Sequence, residues 1–215
     1  MDRLTRSDIL VVCTANVCRS PLTEFLLQDL LRNARGFETV AVGSVGTRPM
    51  RGVRMCELAA SGLEGPEAEP FVHAHKSLSA TQSRLRKASL ILTASRSNRA
   101  AVAHILPQAR TRTFTLKEAI ALGEGFSLDG DTGAEAVRSF ARYLESRRGI
   151  VAPVAPTGIR RWLASSSSDP WSIVDGHNLG AKQHARTIAE VRSVVQTLGA
   201  IMTEGVREPS SSRSA

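Results

Sequence analysis

The segment Cys13-Thr-Ala-Asn-Val-Cys-Arg19-Ser20-Pro21 carries a thiol and a guanidinium within one short loop. An apolar run precedes it and a helix start follows it. A loop in that position offers unpaired backbone N–H groups, and the helix N-terminus adds positive partial charge, so the segment can cradle an anion. Arg19 contributes a fork of donors that matches two phosphate oxygens. The thiolate is the nucleophilic form of cysteine, and such surroundings favour it. Cys13, at the bottom of the cradle, is therefore a candidate nucleophile facing a bound phosphate. Thr14, Ala15, Val17 and Cys18 complete the cradle with Asn16, a residue type that tolerates left-handed backbone.

Of the 28 basic residues only four are Lys, so Arg is common enough that the Cys-to-Arg spacing alone has little weight. The flanking elements supply the weight. Ile9-Leu-Val-Val-Cys13 is a short β-branched run of the kind found in a buried parallel strand. Ser20-Pro21 opens a helix, with Ser suited to the N-cap and Pro to the first position. Leu22, Phe25, Leu26, Leu30 and Leu31 then form an apolar face that Gly36 ends. Further strands are expected at Thr39 to Val42, Leu90 to Thr93 and Thr111 to Leu116. Helices are expected from Val53 to about residue 63, from Ser97 to Leu106 and from Ala181 to Met202. Alternating strands and helices argue for an α/β three-layer sandwich, a parallel sheet covered on both faces, with the phosphate loop between strand 1 and helix 1.

Residues 117 to about 168 break this rhythm and read as an enlarged region. It holds an apolar helical stripe (Ala136, Val137, Phe140, Tyr143, Leu144) and a run of four serines, Ser165 to Ser168, expected to be mobile. A single domain over residues 1–204 with a disordered tail at 205–215 is the expected organisation. Composition excludes several classes. Apolar residues are 42% and charged residues 22% of the chain, which argues against wholesale disorder. No stretch reaches the length of a membrane span, and the apolar run Ile9 to Val12 is too short for a signal peptide. Three Cys are too few for a disulfide framework and suit a reducing cytoplasm. The net charge of +8 is scattered rather than striped, so no nucleic-acid partner is expected.

The stretch from Ile9-Leu-Val-Val-Cys through Arg19-Ser-Pro-Leu-Thr-Glu-Phe25 resembles the low-molecular-weight protein tyrosine phosphatases and their arsenate-reductase relatives. The similarity continues through Ala41-Val-Gly-Ser-Val-Gly-Thr47, Leu90-Ile-Leu-Thr-Ala94 with Asn98, and Thr113-Phe-Thr-Leu116. It implies a four-stranded parallel sheet and a phosphocysteine intermediate. It also implies Cys13 as nucleophile, Arg19 as phosphate ligand, Ser20 as support for the thiolate and Asn16 as keeper of the loop's shape. The substrate implied is a phosphotyrosine-containing protein, with inorganic phosphate or other oxyanions as ligands and no cofactor.

An acid must protonate the leaving oxygen and later activate water. In the family it belongs to an Asp-Pro-aromatic loop, which Asp169-Pro170-Trp171 matches. Asp169 is thus the expected acid and Trp171 a pocket wall, with Asp129 and Asp131 as runners-up. The resemblance further implies that His75 buttresses the loop and that Cys18 can trap an oxidised nucleophile as a disulfide. Leu78 and Ser95 depart from the family's Arg and Asp. Cys56 lies on an apolar helical side and reads as core. His73 and His75 stand two apart without a second ligand pair, so no metal site is expected. Two alternatives stay open: an arsenate reductase that uses an external small thiol, and a silent phosphate-binding domain.

Overall fold

The computed structural model describes residues 7–149 and 169–204. Four parallel strands form the sheet: β1 (Ile9–Cys13), β2 (Val42–Gly46), β3 (Leu90–Thr93) and β4 (Thr113–Thr115), in the order β2-β1-β3-β4. The helices are α1 (Arg19–Arg32), α2 (Glu57–Ala60), α3 (Ala68–Ala74), α4 (Gln82–Lys87), α5 (Arg96–Ile105), α6 (Leu116–Gly123), α7 (Gly133–Ser146) and α8 (Ala181–Glu204). A 3₁₀ turn, Pro107–Arg112, leads into β4.

Side-chain alternation along the strands divides the molecule into two cores. Ile9, Val11, Leu90 and Leu92 point to one side, where they join Leu22, Leu27, Phe114, Phe140 and Val195. Leu10, Val12, Val45 and Ile91 point to the other, against Leu85, Val102 and Leu106. Both faces are dry, which is why the strands read as unbroken apolar runs.

β1 is central, and the chain leaves it toward β2 on one side and reaches β3 on the other. In open α/β sheets the crevice at the carboxyl ends of the strands beside such a reversal is where ligands bind. That crevice lies at Cys13.

Several elements form elsewhere than the local pattern suggests. The second strand occupies Val42–Gly46, a glycine-containing segment, rather than Thr39 to Val42. Pairing in parallel register with β1, from Ile9↔Val42 to Cys13↔Gly46, overrides its weak local propensity. The helix expected from Val53 shrinks to Glu57–Ala60, because Cys56 keeps extended backbone (φ −68°, ψ 140°) while its N–H donates to the Val17 carbonyl. Cys18, not Ser20, occupies the N-cap of α1, which leaves Pro21 in the first turn, where no helical N–H is required. The Ser20 hydroxyl is thereby free for the loop.

The enlarged region is partly core. α7 lays Ala136, Val137, Phe140 and Leu144, all fully buried, into the cluster of α6 and the sheet. The Ser165–Ser168 run and the 205–215 tail fall outside the described residues. Among the described residues, no helix is long and apolar enough to cross a membrane.

Candidate active site

Cys13 ends β1 with 2% of its surface exposed. Its Sγ lies 3.0 Å from Ser20 Oγ and accepts the Asn16 backbone N–H at 3.2 Å. Asn16 holds the left-handed φ of +57° that the turn requires. Its side chain is fully engaged. Nδ2 donates to Ser20 Oγ (3.0 Å) and Ser44 Oγ (2.8 Å), and Oδ1 accepts the Leu78 N–H at 2.8 Å. His75 Nε2 stands 2.9 Å from the Asn16 carbonyl, and a carbonyl can only accept, so the proton sits on Nε2. Leu78 thus supports the loop through its backbone N–H.

Ser95, which stands in place of the family's Asp, caps α5 by accepting the Asn98 N–H at 3.2 Å. Its hydroxyl also donates to Asn98 Oδ1, and Asn98 Nδ2 reaches Thr14 Oγ1 at 3.2 Å. The brace therefore runs through Asn98. Gly46 closes the other flank. A Cβ at Gly46 would sit 2.6 Å from the Thr14 carbonyl oxygen, so only glycine lets β2 pass this close.

A cleft of about 120 Å³ opens above Cys13, lined by Thr14, Ala15, Val17, Cys18, Arg19, Asp175, His177 and Asn178. Arg19 is 4% exposed; its Nη1 donates to the Ile173 carbonyl at 3.1 Å, and its Nη2 pairs with the Asp175 carboxylate.

Neither Asp169 nor Trp171 lines this cleft. Asp169 is occupied by its own turn: Ser172 Oγ donates to Oδ2 at 2.7 Å, the Trp171 N–H to Oδ1 at 3.2 Å, and Arg96 stands 3.8 Å away. These are the bonds of an ordinary Asp turn. Asp131 accepts from Ser139 beside α7, and Asp129 is exposed; neither reaches the cleft.

The carboxylate that the fold delivers is Asp175, followed by Gly176 and His177. Gly176 explains why no Asp-Pro signal marks it. A Cβ there would meet the Gln183 carbonyl and Thr187 Oγ1, each at 2.5 Å, so α8 leaves no room for a proline ring. The visible clue is an Asp before a ring-bearing residue immediately ahead of the last helix.

The model of the low molecular weight phosphotyrosine protein phosphatase family matches residues 8–125. The chain belongs to that family. Its match ends before Asp169 and Asp175, so it does not choose between the two acids. The low molecular weight protein-tyrosine-phosphatase Ptp of Acinetobacter johnsonii is 32% identical over 109 residues, which span 51% of this chain and 71% of that protein. The tyrosine phosphatase Wzb of Escherichia coli K30, solved with phosphate, shares the fold at a TM-score of 0.55 and 19% identity, covering 89% of this chain and 94% of its own. The YwlE arginine phosphatase of Geobacillus stearothermophilus matches at a TM-score of 0.54 and 21% identity, over 89% of each chain.

This phosphatase holds its other thiols in a second cluster beside the loop. Cys18 Sγ lies 3.2 Å from His184 Nε2, and Cys56 Sγ lies 3.5 Å from the same nitrogen. The His177 and His184 rings meet edge to face at 4.9 Å. Cys56 is half-buried and turned to His184, not sealed in the apolar core as its helical pattern implies. The hydrogen bond between the two thiols makes them unequal. It holds Cys56 down at about 5, with help from the Ala59 N–H and both histidines, and pushes Cys18 up together with burial. Ligand spacing along the chain gave no hint of this group, because its members are spread from residue 18 to residue 184. His73 takes no part and pairs with Glu69 at 3.5 Å.

Proposed function

We propose that the protein hydrolyses phosphotyrosine in proteins through a phosphocysteine on Cys13, with Asp175 as the acid. The observation that carries this is the convergence of Cys13, Arg19 and Asp175 on one small cleft. The loop's N–H groups and Arg19 hold the phosphate oxygens while Cys13 Sγ attacks phosphorus. As the phosphate takes the Arg19 guanidinium, Asp175 leaves its pair with Arg19, takes up a proton and gives it to the phenolic oxygen as that oxygen departs. Asp175, now ionised, takes a proton from water as that water attacks the phosphocysteine, which regenerates thiolate and acid. Ser20, within hydrogen-bond reach of Sγ, stabilises the thiolate both as nucleophile and as leaving group. Because Cys13 lies at the cleft floor, a phosphate must arrive on a long arm. That supports phosphotyrosine over phosphoserine. Family membership supports the same choice. Three free thiols suit a cytoplasmic setting.

The test compares leaving groups. Asp175→Asn should slow phenyl phosphate by about 10² to 10⁴-fold and p-nitrophenyl phosphate much less, because an activated phenolate departs without a proton. Asp169→Asn should change both little. Equal losses on the two substrates in Asp175→Asn would remove it from the acid's role. Phosphotyrosine, phosphoserine and phosphoarginine peptides assayed side by side, with arsenite formation from arsenate and a small thiol as a further arm, decide the substrate.

A further inference from the structure

Cys18, Cys56, His177 and His184 come from four separate segments: the N-cap of α1, the residue before α2, the loop after Asp175 and the first turn of α8. Their ligand atoms all lie within 4.8 Å of one another. With Zn–S near 2.3 Å and Zn–N near 2.0–2.1 Å, a tetrahedral zinc site has edges of about 3.3 to 3.8 Å. The two Sγ-to-Nε2 separations, 3.2 and 3.5 Å, stand at that scale. Hydrogen bonding alone does not call for two thiols and two imidazoles around one point.

We propose that these four side chains form a structural zinc site that fastens the acid-bearing loop to the phosphate loop. Two thiolates and two imidazoles suit a borderline-soft ion and disfavour magnesium and calcium. Four protein ligands leave no open position, so the ion holds structure and does not activate water. Binding displaces any thiol proton still held, and no electrons move. The framework is already braced. The Cys56 N–H donates to the Val17 carbonyl at 2.7 Å, and Arg192 of α8 reaches the Gly62 carbonyl just beyond α2. His177 follows Asp175 by two residues, so the ion would fix the segment that carries the acid. It would also withhold Cys18 from the disulfide with Cys13 that the family resemblance implies.

The experiment titrates the reduced, chelator-treated full-length protein with Zn²⁺ and, separately, with Co²⁺. Expected are about one ion per chain, a rise in melting temperature, and the visible spectrum of tetrahedral cobalt with thiolate charge transfer. Cys56→Ser and His177→Ala, at half-buried and exposed positions, should each weaken binding by about 100-fold or more while the protein still melts cooperatively. Cys13→Ser should bind the ion as the wild type does. Substoichiometric binding by the wild type would overturn the proposal, as would unchanged affinity in both ligand variants. So would loss of the ion in Cys13→Ser, which would put the metal on the nucleophile. These readouts do not involve turnover, so they stand or fall apart from the phosphatase assay.

Discussion

Asn16 shows how much one residue can organise. Its left-handed backbone turns the chain, its N–H points at Cys13 Sγ, and its amide ties Ser20, Ser44 and Leu78 together. In the proposed reaction Cys13 and Arg19 do the chemistry on the frame this builds. Cys13→Ser should abolish turnover of p-nitrophenyl phosphate while phosphate and vanadate still bind, because a hydroxyl is almost never ionised near neutral pH. Arg19→Lys should be nearly as damaging. A point charge cannot replace the planar fork, and it also loses the twin contacts to Ile173 and Asp175. Retention of more than a few per cent of turnover in Cys13→Ser would rule out the covalent route.

Among elements, the end of β2 matters as much as β1 and α1. The register pairs Cys13 with Gly46, and the loop hangs from both strands through Thr47 N–H to the Cys13 carbonyl and Arg48 N–H to the Thr14 carbonyl, each at 2.9 Å. Gly46→Ala would set a methyl against backbone, which cannot swing aside as a side chain would. The loop or the strand must shift. The expected cost is about 1–3 kcal/mol in stability, with a weakened affinity for phosphate measured by inhibition. Unchanged phosphate affinity would show that the loop's position does not depend on β2. α8 exerts a similar control on Asp175, since Gln183 and Thr187 press on Gly176.

At the scale of the molecule, α6 and α7, which interrupt the strand–helix rhythm, are not an appendage. Phe140 is fully buried and stacks edge to face on Phe126 at 4.9 Å within the larger core. Phe140→Ala should therefore destabilise the whole fold by about 3–5 kcal/mol. In urea this would appear as a lower midpoint with one transition and an unchanged slope. A second, separate transition would instead show α7 to be an independent unit. Lys117 adds a polar link across the same layer, 2.5 Å from Glu190 of α8 and 3.1 Å from the Ser172 carbonyl.

The sequence by itself determined the strand, the loop and the helix around Cys13 and Arg19. Those features are local: an apolar run, a short polar loop and a helix start are adjacent in the chain, so their geometry follows from neighbours. It also determined the alternation that makes a parallel sheet with two dry faces. Tertiary structure decided which carboxylate lines the cleft. Asp169-Pro170 satisfies the motif, yet its carboxylate is spent on its own turn, while the packing of α8 against Gly176 brings Asp175 beside Arg19. The Cys18, Cys56, His177 and His184 cluster belongs to the same class. Its members meet only because burying the apolar faces of α1 and α8 against the sheet draws distant segments together, and no local spacing encodes that approach.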